Sequence, residues 1–352
     1  MRHMETIIKK MDERKLNNDV IETAGKILRN GGLVAFPTET VYGLGADALN
    51  EKAAEKIYAA KGRPSDNPLI IHITNMQDLE KIAEIIPEVA VKVAEKYWPG
   101  PLTMIFEKSD AVPYGTTGGL ETVAVRMPDH EVARAVIDAG GGFIAAPSAN
   151  TSGRPSPTKA QHVEEDLSGK IDMIVDGGDV EIGVESTILD MTVTPPMILR
   201  PGAITKEMLT DLIGEVTVDK ALISANSEEA PKAPGMKYRH YAPKADLSVV
   251  EGPMALVIPA INQMASQRVS QGYKVGIIGT EETLDKYQYG IVKSIGTRED
   301  ESTIANNLYA ILREFDSEEV DYIYSESFAT GGIGSAIMNR LLKAAGHSVI
   351  HV

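Results

Sequence analysis

The sequence predicts two α/β domains, a larger one built on a mixed sheet and a smaller one built on a parallel sheet. The chain has 352 residues, more than the roughly 100–200 residues of a usual single domain. Short apolar runs typical of buried strands alternate with helical patterns over residues 1–215 and again after residue 245. The intervening residues lose this regularity and have the composition of a linker. We therefore place the domain boundaries at 1–215, 216–245 and 246–352.

The first domain opens with a helix, because Val20, Ala24 and Leu28 recur at helical spacing before Gly31. Strands are predicted at 33–36, 69–73, 102–106, 122–127, 143–146, 171–175, 186–190 and 197–199. Further helices are predicted near 51–60, 76–85, 87–97, 129–139, 158–167 and 205–213. So many strands with helices among them indicate a mixed sheet covered by helices.

The second domain follows a regular βα alternation. Its strands are predicted at 247–250, 273–278, 291–294, 321–324 and 348–351, with helices near 255–270, 282–287, 301–315 and 335–345. This alternation is typical of a parallel, doubly wound sheet. Gly331, Gly332 and Gly334 lie where a dinucleotide fingerprint would, but Ile337 stands in place of its third glycine, which favours a structural turn.

Composition limits the classes of function. A net charge of −15 argues against an extended basic face for nucleic acid. The absence of cysteine excludes disulfides, thiolate zinc sites and a cysteine nucleophile. The N-terminus is charged, and no apolar run reaches the roughly 20 residues of a membrane span, so we expect a cytoplasmic protein without membrane contact. The sequence contains no P-loop.

Two polar segments of the first domain are candidate ligand sites. In FPTETVYGLGADA (36–48), an extended chain would put Thr38, Thr40 and Tyr42 on one face, either to bind a small molecule or simply because threonine favours strands. In KGRPSDNPLIIHI (61–73), Lys61, Arg63 and neighbouring polar side chains occupy a loop stiffened by two prolines. Such a loop suits phosphates, although the cations could instead cap the preceding helix.

The remaining candidates are a second polar loop and two arginines on strands. APSANTSGRPSPT (146–158) has almost no apolar residues and follows a strand, where α/β sheets bind ligands. Arg126 lies on the alternating strand TVAVRM, and Arg200 lies in ILRPGAI (198–204). VESTILD (184–190) adds Ser186 and Thr187. Each arginine could form an internal salt bridge, since buried charges are usually paired. Together with Lys61 and Arg63, they predict a site for a multiply anionic ligand.

These motifs, taken in order, resemble the YrdC/YwlC family of threonylcarbamoyl-AMP synthases. The segment APGMKYRHYAP and the extra α/β domain are similar to the longer, two-domain YwlC-type members. The resemblance implies a twisted mixed sheet with a concave cleft, a smaller Rossmann-like C-terminal domain and a linker that can cover the site. It also implies that L-threonine, bicarbonate or CO2, and ATP give threonylcarbamoyl-AMP and pyrophosphate, for N6-threonylcarbamoyladenosine at position 37 of tRNA.

The resemblance assigns roles to particular residues. Threonine would be bound by Thr38, Thr40, Tyr42, His72, Thr122, Arg126 and Ser186. ATP would be bound by Lys61, Arg63, Asn67, Ser148, Asn150, Ser156, Arg200 and Tyr241. Lys61 and Arg63 would be catalytic, by neutralising charge on the phosphates. Mg²⁺ would be carried by the phosphates, with no protein metal site.

Partners and competing functions follow from the same resemblance. It implies a transient contact with the threonylcarbamoyl transferase machinery and no stable nucleic-acid binding. The alternatives are a double-stranded RNA-binding protein of the same fold and a carbamoyltransferase with a YrdC-like domain. Lys237 to Tyr241 combine aromatic and basic side chains, which suits stacking on a nucleotide and predicts that the linker closes over the site.

Overall fold

The computed structural model describes residues 5–219 and 240–352. They form two compact units, the first with residues 5–152 and 156–219 and the second with residues 153–155 and 240–352. Most of the predicted linker, including Lys237, Tyr238 and Arg239, lies outside the described residues, as does the prediction that it closes over the site.

The first unit contains most of the secondary structure. Its strands are β1 (Ile7–Lys10), β2 (Val34–Phe36), β3 (Gly43–Asp47), β4 (Ile70–His72), β5 (Leu102–Glu107), β6 (Thr122–Arg126), β7 (Ile144–Ala145), β8 (Met173–Asp176), β9 (Thr187–Asp190), β10 (Met197–Arg200) and β11 (Thr217–Val218). Its helices are α1 (Asn18–Arg29), α2 (Glu51–Lys61), α3 (Met76–Ile82), α4 (Glu88–Tyr97), α5 (Tyr114–Thr117), α6 (Glu131–Ala139), α7 (Ala160–Leu167) and α8 (Lys206–Ile213).

The strands form one mixed sheet in the order β1-β8-β2-β3-β7-β4-β6-β5-β9-β10-β11. Strand β2 has core on both faces, with Ala35 in one apolar cluster and Val34 and Phe36 in another. Helices α1 and α6 cover the second cluster and approach so closely that a Cβ on Gly25 would lie 2.5 Å from the Ala139 carbonyl oxygen. The predicted mixed sheet covered by helices is therefore confirmed.

The second unit is a parallel α/β domain. Its strands are β12 (Asp246–Glu251), β13 (Val275–Gly279), β14 (Ile291–Ser294), β15 (Tyr322–Glu326) and β16 (Val349–His351), and its helices are α9 (Met254–Ser270), α10 (Glu301–Ser317) and α11 (Gly334–Ala344). The strand order is β14-β13-β15-β12-β16, and every pairing is parallel. The predicted parallel sheet is confirmed, but only a 3-10 turn (Leu284–Lys286) forms where a helix was expected at 282–287.

Four elements were not predicted: β1, β3, β11 and α5. Strand β3 has the sequence GLGAD. Glycine is depleted in strands, so the two glycines explain why the sequence did not predict this strand. The packing explains Gly45, since a Cβ there would lie 2.7 Å from the Phe36 ring. Over the described ranges, no helix has the length and apolarity to cross a membrane.

Candidate active site

Residues 37–42 form a bent connection between the antiparallel strands β2 and β3, which we call the 37–42 turn, so the predicted extended row is wrong. The Thr38 hydroxyl donates to the Val41 carbonyl (2.7 Å) and lies 2.9 Å from the Thr40 hydroxyl, which bends the chain. A threonine hydroxyl can replace a strand bond in this way. Thr38 and Thr40 still meet, but the Tyr42 hydroxyl turns away to donate to the Gly178 carbonyl (2.7 Å). Burial raises the pKa of Tyr42 above its ordinary value of 10.0.

Arg126 ends β6 and is held by this turn. Its Nη1 donates to the Thr40 hydroxyl (2.9 Å), and its Nη2 lies 2.6 Å from Oε2 of Glu39. Both ion-pair side chains are 5% exposed. Neither Glu39 oxygen accepts a hydrogen bond from the described residues, so Arg126 compensates the Glu39 charge as an ion pair without hydrogen-bond geometry. The internal salt bridge considered for Arg126 is present.

A row of polar side chains crosses the sheet at Arg126. On the two neighbouring strands, Arg126 pairs with His72 of β4 and with Thr103 of β5. Directly paired residues point to the same face of the sheet. The Thr103 hydroxyl lies 2.8 Å from that of Ser186, just before β9. Burial, with the positive charge of Arg126, lowers the pKa of His72 from 6.5 to about 3, so the imidazole is neutral at pH 7.

Arg200 ends β10 at the same edge of the sheet as Arg126. Strands β6 and β10 run in one direction because β6 is antiparallel to β5, β5 is parallel to β9, and β9 is antiparallel to β10. The Arg200 guanidinium donates to the Ser186 carbonyl (3.0 Å) and hydroxyl (3.1 Å). Ser186 thus links Arg200 to the row that contains Arg126.

Lys61 ends α2 and is almost fully buried, at 1% exposure. Its ammonium donates to the carbonyls of Ser148 and Asn150, both at 2.5 Å, so it reaches the polar loop 146–158 rather than capping its own helix. The Ser148 hydroxyl donates in turn to Oδ1 of Asn150 (2.6 Å). The Arg63 guanidinium donates to the carbonyls of Asn67 (3.3 Å) and Pro68 (3.1 Å) in its own loop.

Backbone hydrogen bonds join the motifs into one site. Tyr42 donates to the Pro157 carbonyl (2.9 Å), and its own carbonyl accepts from Ala149 (2.8 Å), so the turn and the polar loop are adjacent. Gly183 donates to the Thr40 carbonyl (3.1 Å), which brings the 184–190 motif alongside. The Ser156 hydroxyl donates to Oε1 of Glu185 (2.5 Å). Segments far apart in sequence therefore meet around Thr40 and Ser148.

Thr122 is a predicted site residue that lies away from the Arg126 group. Thr122 begins β6 while Arg126 ends it, and a rise of about 3.3 Å per residue separates them by roughly 13 Å. The structure does not bring Thr122 to the Arg126 group. Tyr241 belongs to the second unit, is buried, and packs against the Tyr309 ring with centroids 5.1 Å apart.

The sequence analysis missed Glu39, Thr103 and Glu185. Glu39 and Glu185 stand inside the quoted motifs, so a carboxylate beside predicted cations was the available signal. Nothing in the sequence marks Thr103, whose position depends on strand register. Among residues 5–219 and 240–352, no group of three or more His, Asp or Glu side chains could hold a metal.

Comparison with known proteins adds to this geometry. Residues 26–202 match the Sua5/YciO/YrdC family model, described as telomere recombination, and residues 204–346 match the model described as threonylcarbamoyl-AMP synthase, C-terminal domain.

Full-length relatives and a solved structure agree. The chain is 50% identical over 347 residues to a threonylcarbamoyl-AMP synthase of Pyrococcus abyssi, covering 99% of this chain and 100% of the relative. It is 51% identical to that of Bacillus subtilis, covering 96% of each. The crystal structure of P. abyssi Sua5 complexed with L-threonine superposes with a TM-score of 0.94 at 48% identity, covering 99% of this chain and 100% of that one.

Proposed function

The chain belongs to the threonylcarbamoyl-AMP synthase family, and we propose that its first unit converts L-threonine, bicarbonate or CO2, and ATP into threonylcarbamoyl-AMP and pyrophosphate. One observation supports this proposal most directly. Three buried cations contact the polar segments 37–42, 146–158 and 184–190. They are Lys61, Arg126 and Arg200. Buried cations beside polar side chains suit small anionic substrates.

We propose that threonine binds at the Arg126 row. Arg126 would receive the substrate carboxylate, because a guanidinium matches a carboxylate with two parallel hydrogen bonds. Thr38, Thr40 and Ser186 would offer hydroxyls to the substrate hydroxyl and nitrogen. The neutral His72 adds no second positive charge beside Arg126.

We propose that ATP binds along Arg63, Asn67, the polar loop 146–158 and Arg200. The ordered contacts of Lys61 with Ser148 and Asn150 support this role, because a preorganised loop loses little entropy when a ligand binds. Mg²⁺ would accompany ATP, since nucleotide sites usually hold it through the phosphates and water.

The proposed chemistry needs positioning more than a protein nucleophile. The threonine amine adds to CO2 and loses a proton, which gives a carbamate. A carbamate oxygen then attacks the α-phosphorus as the bond to the pyrophosphate oxygen breaks. Lys61 and Arg63 would neutralise the charge that gathers on the phosphates, which is the electrostatic part of catalysis. The product is a labile mixed anhydride, which suits direct transfer to the threonylcarbamoyl transferase machinery.

Pyrophosphate release tests the proposal. The protein should release pyrophosphate only when threonine, bicarbonate and ATP are all present, and Arg126→Ala should abolish this threonine-dependent release. Mass spectrometry of the product should find threonylcarbamoyl-AMP. Absence of pyrophosphate release together with tight binding of a labelled RNA duplex would replace this proposal with the RNA-binding alternative.

A further inference from the structure

Three residues of the polar loop 146–158 belong to the second unit. Gly153, Arg154 and Pro155 group with residues 240–352, whereas the loop on either side of them belongs to the first unit. The Gly153 carbonyl accepts a hydrogen bond from the backbone of Ala242 (2.9 Å). We name Gly153–Pro155 the held tripeptide.

Arg313 of helix α10 holds the tripeptide by its backbone. The side chain is buried, with 3% exposure, and its Nε and Nη2 donate to the Pro155 carbonyl at 3.2 and 2.6 Å. Burying a guanidinium is unfavourable unless its donors are satisfied. A buried arginine that donates twice to the Pro155 carbonyl is therefore a specific structural contact rather than a solubilising surface charge.

Asp316 completes the contact one turn further along α10. It is 6% exposed, accepts a 2.7 Å hydrogen bond from the Lys244 backbone and lies 3.5 Å from the Arg154 guanidinium. Residues three apart on a helix share a face, so Arg313 and Asp316 present a cation and an anion side by side. The cation fits the Pro155 carbonyl, and the anion fits Arg154.

The held tripeptide is covalently continuous with the rest of the polar loop 146–158. Before it, the Ser152 backbone donates to the Lys61 carbonyl (2.8 Å), and after it, the fully buried Ser156 donates to Glu185. Three residues span at most about 10 Å. Gly153 has a φ of +89°, which favours glycine, and proline fixes φ at Pro155. With so short and stiff a connection, fixing the tripeptide limits where Ser156 can lie.

We infer that Arg313 and Asp316 are positioning residues for ATP: by holding Gly153–Pro155 they set the path of the loop that carries Ser148, Asn150 and Ser156. The inference rests on the proposed function, because that function makes this loop a nucleotide contact. Neither residue is placed in contact with substrate. Their loss should weaken ATP binding and leave threonine binding unchanged, whereas a general loss of structure would weaken both.

The test compares Arg313→Gln and Asp316→Asn with Glu314→Gln in the full chain. Glu314 lies on the same helix, is 53% exposed and pairs with Lys293 at the surface, so it is a matched control. Hydrogen exchange of peptides covering residues 150–158 reports on the loop, and calorimetry gives the Kd of ATP and of threonine. We expect faster exchange and a roughly tenfold or greater rise in the ATP Kd for Arg313→Gln, since charged hydrogen bonds are lost. Asp316→Asn should give a smaller change in the same direction, and threonine affinity should match the control.

The outcomes separate the two ideas. If the parent binds ATP and releases pyrophosphate but both variants behave like Glu314→Gln, the positioning inference is wrong and the function stands. If the parent neither binds ATP nor releases pyrophosphate, the function is wrong and the inference falls with it. If Arg313→Gln does not fold, Asp316→Asn decides by the same two measurements.

Discussion

Replacing Glu39 by glutamine should strongly destabilise the first unit. The substitution keeps the shape of the side chain and removes the charge that lies 2.6 Å from Arg126, where both side chains are 5% exposed. At an effective dielectric constant of about 20, unit charges about 4 Å apart attract by about 4 kcal/mol. Removing one partner of a buried pair leaves the other charge uncompensated, and we expect a loss of about 3–5 kcal/mol.

Urea unfolding can measure this loss. Trp98 is the single tryptophan and is buried in the first unit, so its fluorescence reports on that unit. The control is Arg134→Gln, which breaks an ion pair whose side chains are 37% and 60% exposed and should change stability by less than about 1 kcal/mol. Adding Arg126→Met to Glu39→Gln should restore part of the loss, because the remaining buried charge is removed. Similar small losses for Glu39→Gln and Arg134→Gln would refute the reasoning.

Three further predictions concern the substrates and pH. Arg63→Ala should raise the ATP Kd roughly 10–100-fold through the lost charge-assisted contact, and Arg126→Ala should act on threonine instead; calorimetry that finds both variants like the parent would refute both assignments. Serine, which lacks one methyl group, should be rejected by about 1–3 kcal/mol and valine, which lacks the hydroxyl, more strongly; equal kcat/KM for threonine and valine would contradict a hydroxyl-binding pocket. The pKa of His72 is lowered from 6.5 to about 3 in the folded chain. Between pH 6.5 and about pH 3, His72 is therefore protonated in the unfolded chain but neutral in the folded chain. Its stability should therefore fall with decreasing pH by up to about 1.4 kcal/mol per unit. His72→Asn should flatten that slope in urea titrations between pH 7 and 5, and an unchanged slope would show that His72 is not its source.

Local sequence patterns predicted most of the fold, because the buried face of a helix or strand requires apolar residues at regular spacing. The helical spacing of Val20, Ala24 and Leu28 reflects one buried face of α1, and the apolar run of β2 reflects core on both faces. The pattern failed where packing replaced propensity, as in the glycine-bearing β3. It failed again at 38–42. The Thr38 hydroxyl donates to the Val41 carbonyl and bends this segment, which the alternating pattern predicted to be extended.

The sequence by itself determined the type of site: the buried cations Lys61, Arg126 and Arg200, the polar loops beside them, and the family that these motifs resemble. Charges on apolar segments and prolines in polar loops are local features, so they can be recognised in the sequence alone. Only the tertiary structure decided the partners, because the contacts of Arg126 with Glu39 and of Arg200 with Ser186 depend on strand direction and register. The same holds for Arg313 and Pro155, which are 158 positions apart. No local pattern encodes such a contact, since chain folding alone brings the two residues together.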